Sequence, residues 1–185
     1  DQKARVVLRA SGNAIINRRI LSPAESVNAL TVGALHSDNI PHVGPHTSIF
    51  DIWRDTGLCT VSSALGPGFG NSVKPDVLAP GGRHHVRLIP DSGGHRLRPV
   101  GKQATHYGGI VVAAPPTATA PNPDSTSRTV GTSVAAALLT GIAARAHESL
   151  EVAYADFINI ADAHRALLLK ALLVHCAQWT SAHSL

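Results

Sequence analysis

Apolar residues in this chain fall into short runs broken by glycine and proline, and then into two long stretches near the C-terminus. Residues 4–10, around Val6-Val7-Leu8, and 28–35, around Val32-Gly33-Ala34-Leu35, read as short strands ending at glycine-containing turns. Such runs suit a parallel sheet covered by helices on both faces. Residues 15–27 between them read as a short helix or a loop, with Ser22-Pro23 as a start signal. Residues 36–59 are mixed and broken by Pro41, Gly44 and Pro45, with a short strand predicted at 49–53. Residues 61–82 are rich in turn formers, and 82–130 are the least regular. Within the latter the pattern predicts a strand at 109–114 and a Pro/Thr/Ser-rich loop at 115–127. Residues 133–147 read as a helix that is apolar all round, which predicts burial on every side. A second helix is predicted over 162–178, with Asp162 as N-cap or first-turn acid and Leu167, Leu168, Ala171, Leu172 and Val174 on one broad face. No internal repeat is visible.

The first of these helices opens on Gly131-Thr132-Ser133. A serine at a helix N-terminus sits among unpaired backbone N–H groups and at the positive end of the dipole. It can attack a carbonyl there while its own N–H helps to hold the oxyanion. By itself the tripeptide reads more readily as an ordinary turn and N-cap. Three upstream segments change that balance: Ala10-Ser11-Gly12-Asn13, then Pro23-Ala24 followed by Val32-Gly33-Ala34, then Lys74-Pro75-Asp76-Val77-Leu78-Ala79-Pro80-Gly81.

In this order the set resembles the subtilisin-like serine proteases, the subtilases, from about Arg5 to Trp179. The resemblance implies an α/β fold in three layers with a mostly parallel sheet, and hydrolysis of peptide bonds through an acyl-enzyme. It assigns Ser133 as nucleophile and Asn13 as the side-chain oxyanion donor, although Ser-Gly-Asn also makes a plain turn. Ala10 and Gly12 match positions lining the primary specificity pocket, where small residues leave room for a substrate side chain; small residues also simply let strand and helix pack closely. The Lys74 to Gly81 turn is read as structural. The family's Asp-Ser/Thr-Gly and His-Gly-Thr motifs lie upstream of the Asn segment, and neither occurs here. Residues 1–185 are therefore expected to be the C-terminal part of a subtilase catalytic domain. A missing N-terminal segment would supply the Asp and His, and this chain alone would be inactive. One departure is Ala137, where the family usually has a proline four residues after the serine.

Composition narrows the alternatives. Of the 185 residues 44% are hydrophobic and 15% charged, values of a globular chain rather than a disordered one. Aromatics at 4% leave a core of Ala, Val, Leu and Ile. The absence of methionine fits a fragment or a processed chain. The formal charge of +4 is spread over scattered basic residues with no aromatic interleaving, which disfavours a nucleic-acid partner. No apolar run approaches a membrane span. Cys59 and Cys176 are either buried free thiols or a pair that the fold must bring together. The eleven histidines include His84-His85 and His42/His46, but none stands in the family's histidine motif, and none is nominated as base or metal ligand. No metal or cofactor is expected, and the expected partner is a peptide or protein substrate. Two rival readings remain: a catalytically inactive subtilase-like domain kept for binding or regulation, and a serine esterase on the same scaffold.

Overall fold

Val32–Leu35 forms β1 and Val77–Pro80 forms β5, paired in parallel with Val32 opposite Val77 and Leu35 opposite Pro80. They belong to a computed structural model that describes residues 19–38, 49–51, 53, 57–92, 94–99, 108–116 and 123–178. The predicted strand at 4–10 lies outside the described residues. Both neighbouring residues in the middle of β1, Gly33 and Ala34, are buried, so the strand is covered on both faces. Its second edge is closed by a loop: His36 N–H bonds Leu58 O at 2.7 Å, Thr60 N–H bonds Ala34 O at 2.8 Å, and Ala34 N–H bonds Ser63 Oγ at 3.2 Å.

The remaining pairs are antiparallel. Ile49–Asp51 (β2), His85–Asp91 (β6) and Gly94–Pro99 (β7) form one sheet in the order β2-β6-β7. Gly66–Pro67 (β3) pairs with Val73–Lys74 (β4), and Ile110–Ala113 (β8) with Thr126–Thr129 (β9). The architecture is α/β, and among the described residues β1 and β5 are the parallel pair. The irregular stretch 82–130 thus holds a hairpin, β6-β7, and part of the expected loop at 115–127 is strand β9. Residues 19–27 hold turns rather than a helix.

Thr132–Ala153 is α1 and Asp162–His175 is α2, with a 3-10 turn, Ala155–Asn159, between them. α1 runs six residues beyond its predicted end, and α2 stops three short of its own. α1 packs on β1 and β5 through a small-residue core: Ala34, Ala79 and Ala135 are buried, with Val32 and Leu139 against them. The expectation that α1 is buried on every side is corrected. Only Val134 and Ala135 are buried, while Leu138, Ile142 and Val152 are exposed. Apolar positions ring the helix, but the two strands cover only its first turns. Asp162 lies in the first turn of α2, where its carboxylate meets Arg165, and it does not cap the helix. Cys59 and Cys176 are both free thiols, the first half-buried and the second exposed.

The Lys74 to Gly81 turn earns its residues structurally. Lys74 is buried, and its Nζ donates to Asp76 Oδ2 at 2.7 Å and to Ala29 O at 3.1 Å. Asp76 accepts Thr31 N–H at 2.7 Å and returns its own N–H to Thr31 O at 2.9 Å. The start of β5 is therefore clasped to the start of β1. Lys170 of α2 joins the same point by donating to Ala29 O at 3.0 Å.

Candidate active site

The carboxyl ends of β1 and β5 and the N-terminus of α1 meet, the usual place for a site in an α/β sheet. After β5, Gly81 N–H bonds Leu35 O and Gly82 N–H bonds Ser37 O, each at 3.0 Å. Gly131 N–H then bonds Gly81 O at 2.8 Å, so the start of the helix is tied to the end of the strand. Gly131 has φ of 132°, a left-handed value that side chains rarely adopt. Gly81 has no room for a side chain: a Cβ there would run into Ala34 Cβ and stand 3.1 Å from Gly131 O.

Ser133 is the second residue of α1, and its side chain is exposed. Gly131, at the N-cap, provides no side-chain cap, and the first turn holds no acidic residue. The first N–H groups of a helix, here those of 132–134, have no intrahelical acceptor. Asn13, Ala10 and Gly12 lie outside the described residues. Among the described residues no histidine is hydrogen-bonded to Ser133.

Beside the helix start lies a buried polar network that motif reasoning missed. It is built from His36 and Asp38 just after β1, Asp51 at the end of β2, and Arg83, His84 and His85 after β5. Arg83 Nε donates to Asp38 Oδ1 at 2.8 Å, and its Nη1 reaches Asp51 Oδ2 at 3.4 Å. Asp38 also accepts Gly109 N–H at 2.7 Å, which draws in the start of β8. His36 Nδ1 accepts His84 N–H, so its Nε2 carries the proton and donates to Asp51 Oδ1 at 2.5 Å. By the same logic His85, whose Nδ1 accepts Gly108 N–H at 2.7 Å, turns an Nε2–H toward Asp51 Oδ2 at 3.7 Å. Burial works to raise the Asp51 pKa, but the hydrogen bond from His36, with His85 close by and Trp53 N–H, holds it below the usual carboxylate value. Burial, with His36 and His85 close by, lowers the His84 pKa to about 4. Burial also lowers that of His85, against the attraction of Asp51.

The signal for this network was present as two polar runs, His36-Ser37-Asp38 directly after one apolar strand and Arg83-His84-His85 two glycines after another. Only the pairing of β1 with β5 makes them neighbours. His147 packs edge-on against Phe157 at 5.3 Å, and His175 is exposed at the end of α2. His42 and His46 lie outside the described residues. Among the described residues no three His, Cys, Asp or Glu side chains are grouped to hold a metal ion. Among the described residues no helix is long and apolar enough to cross a membrane.

No curated protein and no solved structure matches the chain. The Peptidase_S8 model, described as the subtilase family, matches residues 1–184. With that match over nearly its whole length, the chain belongs to the subtilase family of serine proteases.

Proposed function

We propose that this chain carries the nucleophile and the oxyanion donors of a serine endopeptidase. The observation that supports it most is Ser133: an exposed residue in the first turn of a helix whose N-cap is a glycine. Ser133 Oγ attacks the scissile carbonyl of a peptide or protein substrate and forms an acyl-enzyme. The Ser133 N–H and the Asn13 amide hold the oxyanion. Ala10 and Gly12 leave space for the substrate side chain. In this reading the α/β fold is the family's three-layer arrangement with a mostly parallel sheet. The histidine base and its aspartate come from a segment bearing the family's Asp and His motifs, in the same protein or another chain. This chain alone then turns over little substrate.

Fluorophosphonate labelling of the full-length gene product, with peptide mapping, tests the reading. Rapid adduct formation on Ser133 is expected, and it should vanish in Ser133→Ala. Asn13→Ala should slow turnover by about 10²–10³-fold, the loss seen when such a donor is removed from a subtilisin. A second reading, an inactive subtilase-like domain kept for binding, draws on the histidines that leave Ser133 unbonded among the described residues. Folded full-length protein that takes no label on Ser133 would favour it. Efficient peptide cleavage by the purified 185-residue chain, abolished by Ser133→Ala, would overturn the requirement for an outside base.

A further inference from the structure

Ser62 and His84 make a hydrogen-bonded pair that the Ser133 reading does not use. The Ser62 side chain is exposed, and its Oγ lies 3.0 Å from His84 Nε2 and 3.3 Å from Thr60 Oγ1. Both members are anchored to the end of β1. Thr60 N–H bonds Ala34 O, Ser63 N–H bonds Thr60 O at 3.1 Å, and His84 N–H bonds His36 Nδ1 at 3.3 Å. The chain segments that carry the two side chains are thus both held at the end of β1. Burial and the neighbouring His36 and His85 keep His84 neutral near pH 7, so one ring nitrogen is a lone-pair acceptor. If Thr60 gives its proton to Ser62 Oγ, the Ser62 proton is left to point at that nitrogen. A serine hydroxyl held on a neutral imidazole is the arrangement of an activated nucleophile.

We propose that Ser62 is a second acyl-accepting serine, with His84 as its base, and that it takes acyl groups from activated esters. In the step, Ser62 Oγ bonds to the ester carbonyl carbon while its proton passes to His84 Nε2. The bond from that carbon to the leaving oxygen breaks, and the leaving group departs with the electron pair. His84 releases the proton to the leaving group or to water. The products are acyl-Ser62 and an alcohol or phenol, with nothing oxidised or reduced. His84 is a weak base, so the leaving group must be good on its own, which selects aryl esters over peptides.

The test uses p-nitrophenyl acetate on the full chain carrying Ser133→Ala, followed by peptide mapping. Acetyl on Ser62 is expected, with release of p-nitrophenolate and loss of the adduct in Ser62→Ala. His84→Gln should slow acetylation of Ser62 by roughly 10²-fold or more while circular dichroism stays unchanged. The same chain unfolded in urea should not be acetylated at Ser62 at the folded rate. This last comparison stands in for His84→Gln if that variant fails to fold. Absence of acetyl on Ser62 in the folded protein overturns the proposal, as does a rate that His84→Gln or unfolding leaves unchanged. Because Ser133 is already removed, the result does not depend on the fate of the peptidase reading.

Discussion

Lys74 and Asp76 show what single residues hold in place here. The Lys74 ammonium is out of water and bonded to Asp76 Oδ2 and Ala29 O. Burial works to raise the Asp76 pKa, but Lys74 and Thr31 N–H win and hold it low. Lys74→Ala takes the charged donor from the half-buried Asp76 carboxylate, so it should cost about 1.5–3 kcal/mol, read by urea unfolding. The histidines give a pH signature. His84 has a folded pKa of about 4 against an ordinary 6.5, and His85 is lowered as well. Between those values the unfolded chain binds more protons, so stability should fall as pH drops from 6.5 toward 4 and then level off for this group. The His84 share is at most about 3 kcal/mol. Asp51 and Asp76 act lower down: their contribution is present above 3.8 and is lost as pH falls through their depressed folded values. Thermal unfolding from pH 8 to 3 should show both segments, and His84→Gln should flatten the first. A melting temperature that does not change between pH 7 and 4.5 would contradict the neutral, buried state of His84.

At the scale of elements, the start of α1 depends on three small residues. Ala34, Ala79 and Ala135 let the helix lie close on β1 and β5, and Gly81 lets the β5 loop touch Gly131. Ala135→Leu should overpack this contact and cost about 1–3 kcal/mol. Gly81→Ala should do more than destabilise. Its methyl pushes on Ala34 and on the carbonyl of Gly131, two residues before Ser133, so fluorophosphonate labelling of Ser133 in the full-length protein should slow more than the loss of folded protein explains. Much at this scale was legible in the chain. The strands at 32–35, 49–51 and 110–113 and both helices follow from local apolar runs and glycine breaks. The β6-β7 hairpin was not legible, because Arg, His and Pro interrupt its alternation, and its pairing rather than its hydrophobicity makes it a strand. Strand β9, Thr-Ser-Arg-Thr, has no apolar residue at all and is held by its ladder to β8. The helix start at Gly131-Thr132-Ser133 was legible because its signal is local. The His36-Asp51-Arg83 network was not, because its members come from three strand ends.

At the scale of the molecule, burial is the quantity that helix periodicity could not supply. An apolar ring around α1 says that something can cover it, and not what does. Among the described residues, exposed apolar side chains gather on the two helices and the turn between them: Leu138, Ile142 and Val152 on α1, Ile158 in the turn, Leu167, Leu168 and Val174 on α2. Apolar side chains exposed in number bind hydrophobic dyes even on a folded protein. The purified chain should therefore enhance ANS fluorescence under native conditions, where a well-covered domain does not. Replacing Leu138 and Ile142 with Gln should lower that signal. Because both side chains already face water, it should change stability by no more than about 0.5 kcal/mol each. Ala135→Leu, on the covered side of the same helix, should do the reverse and reduce stability without lowering dye binding. If the Gln pair instead unfolded the chain, the outer face of α1 would have to be packed in solution, and the exposed stripe would not be a surface of the free molecule.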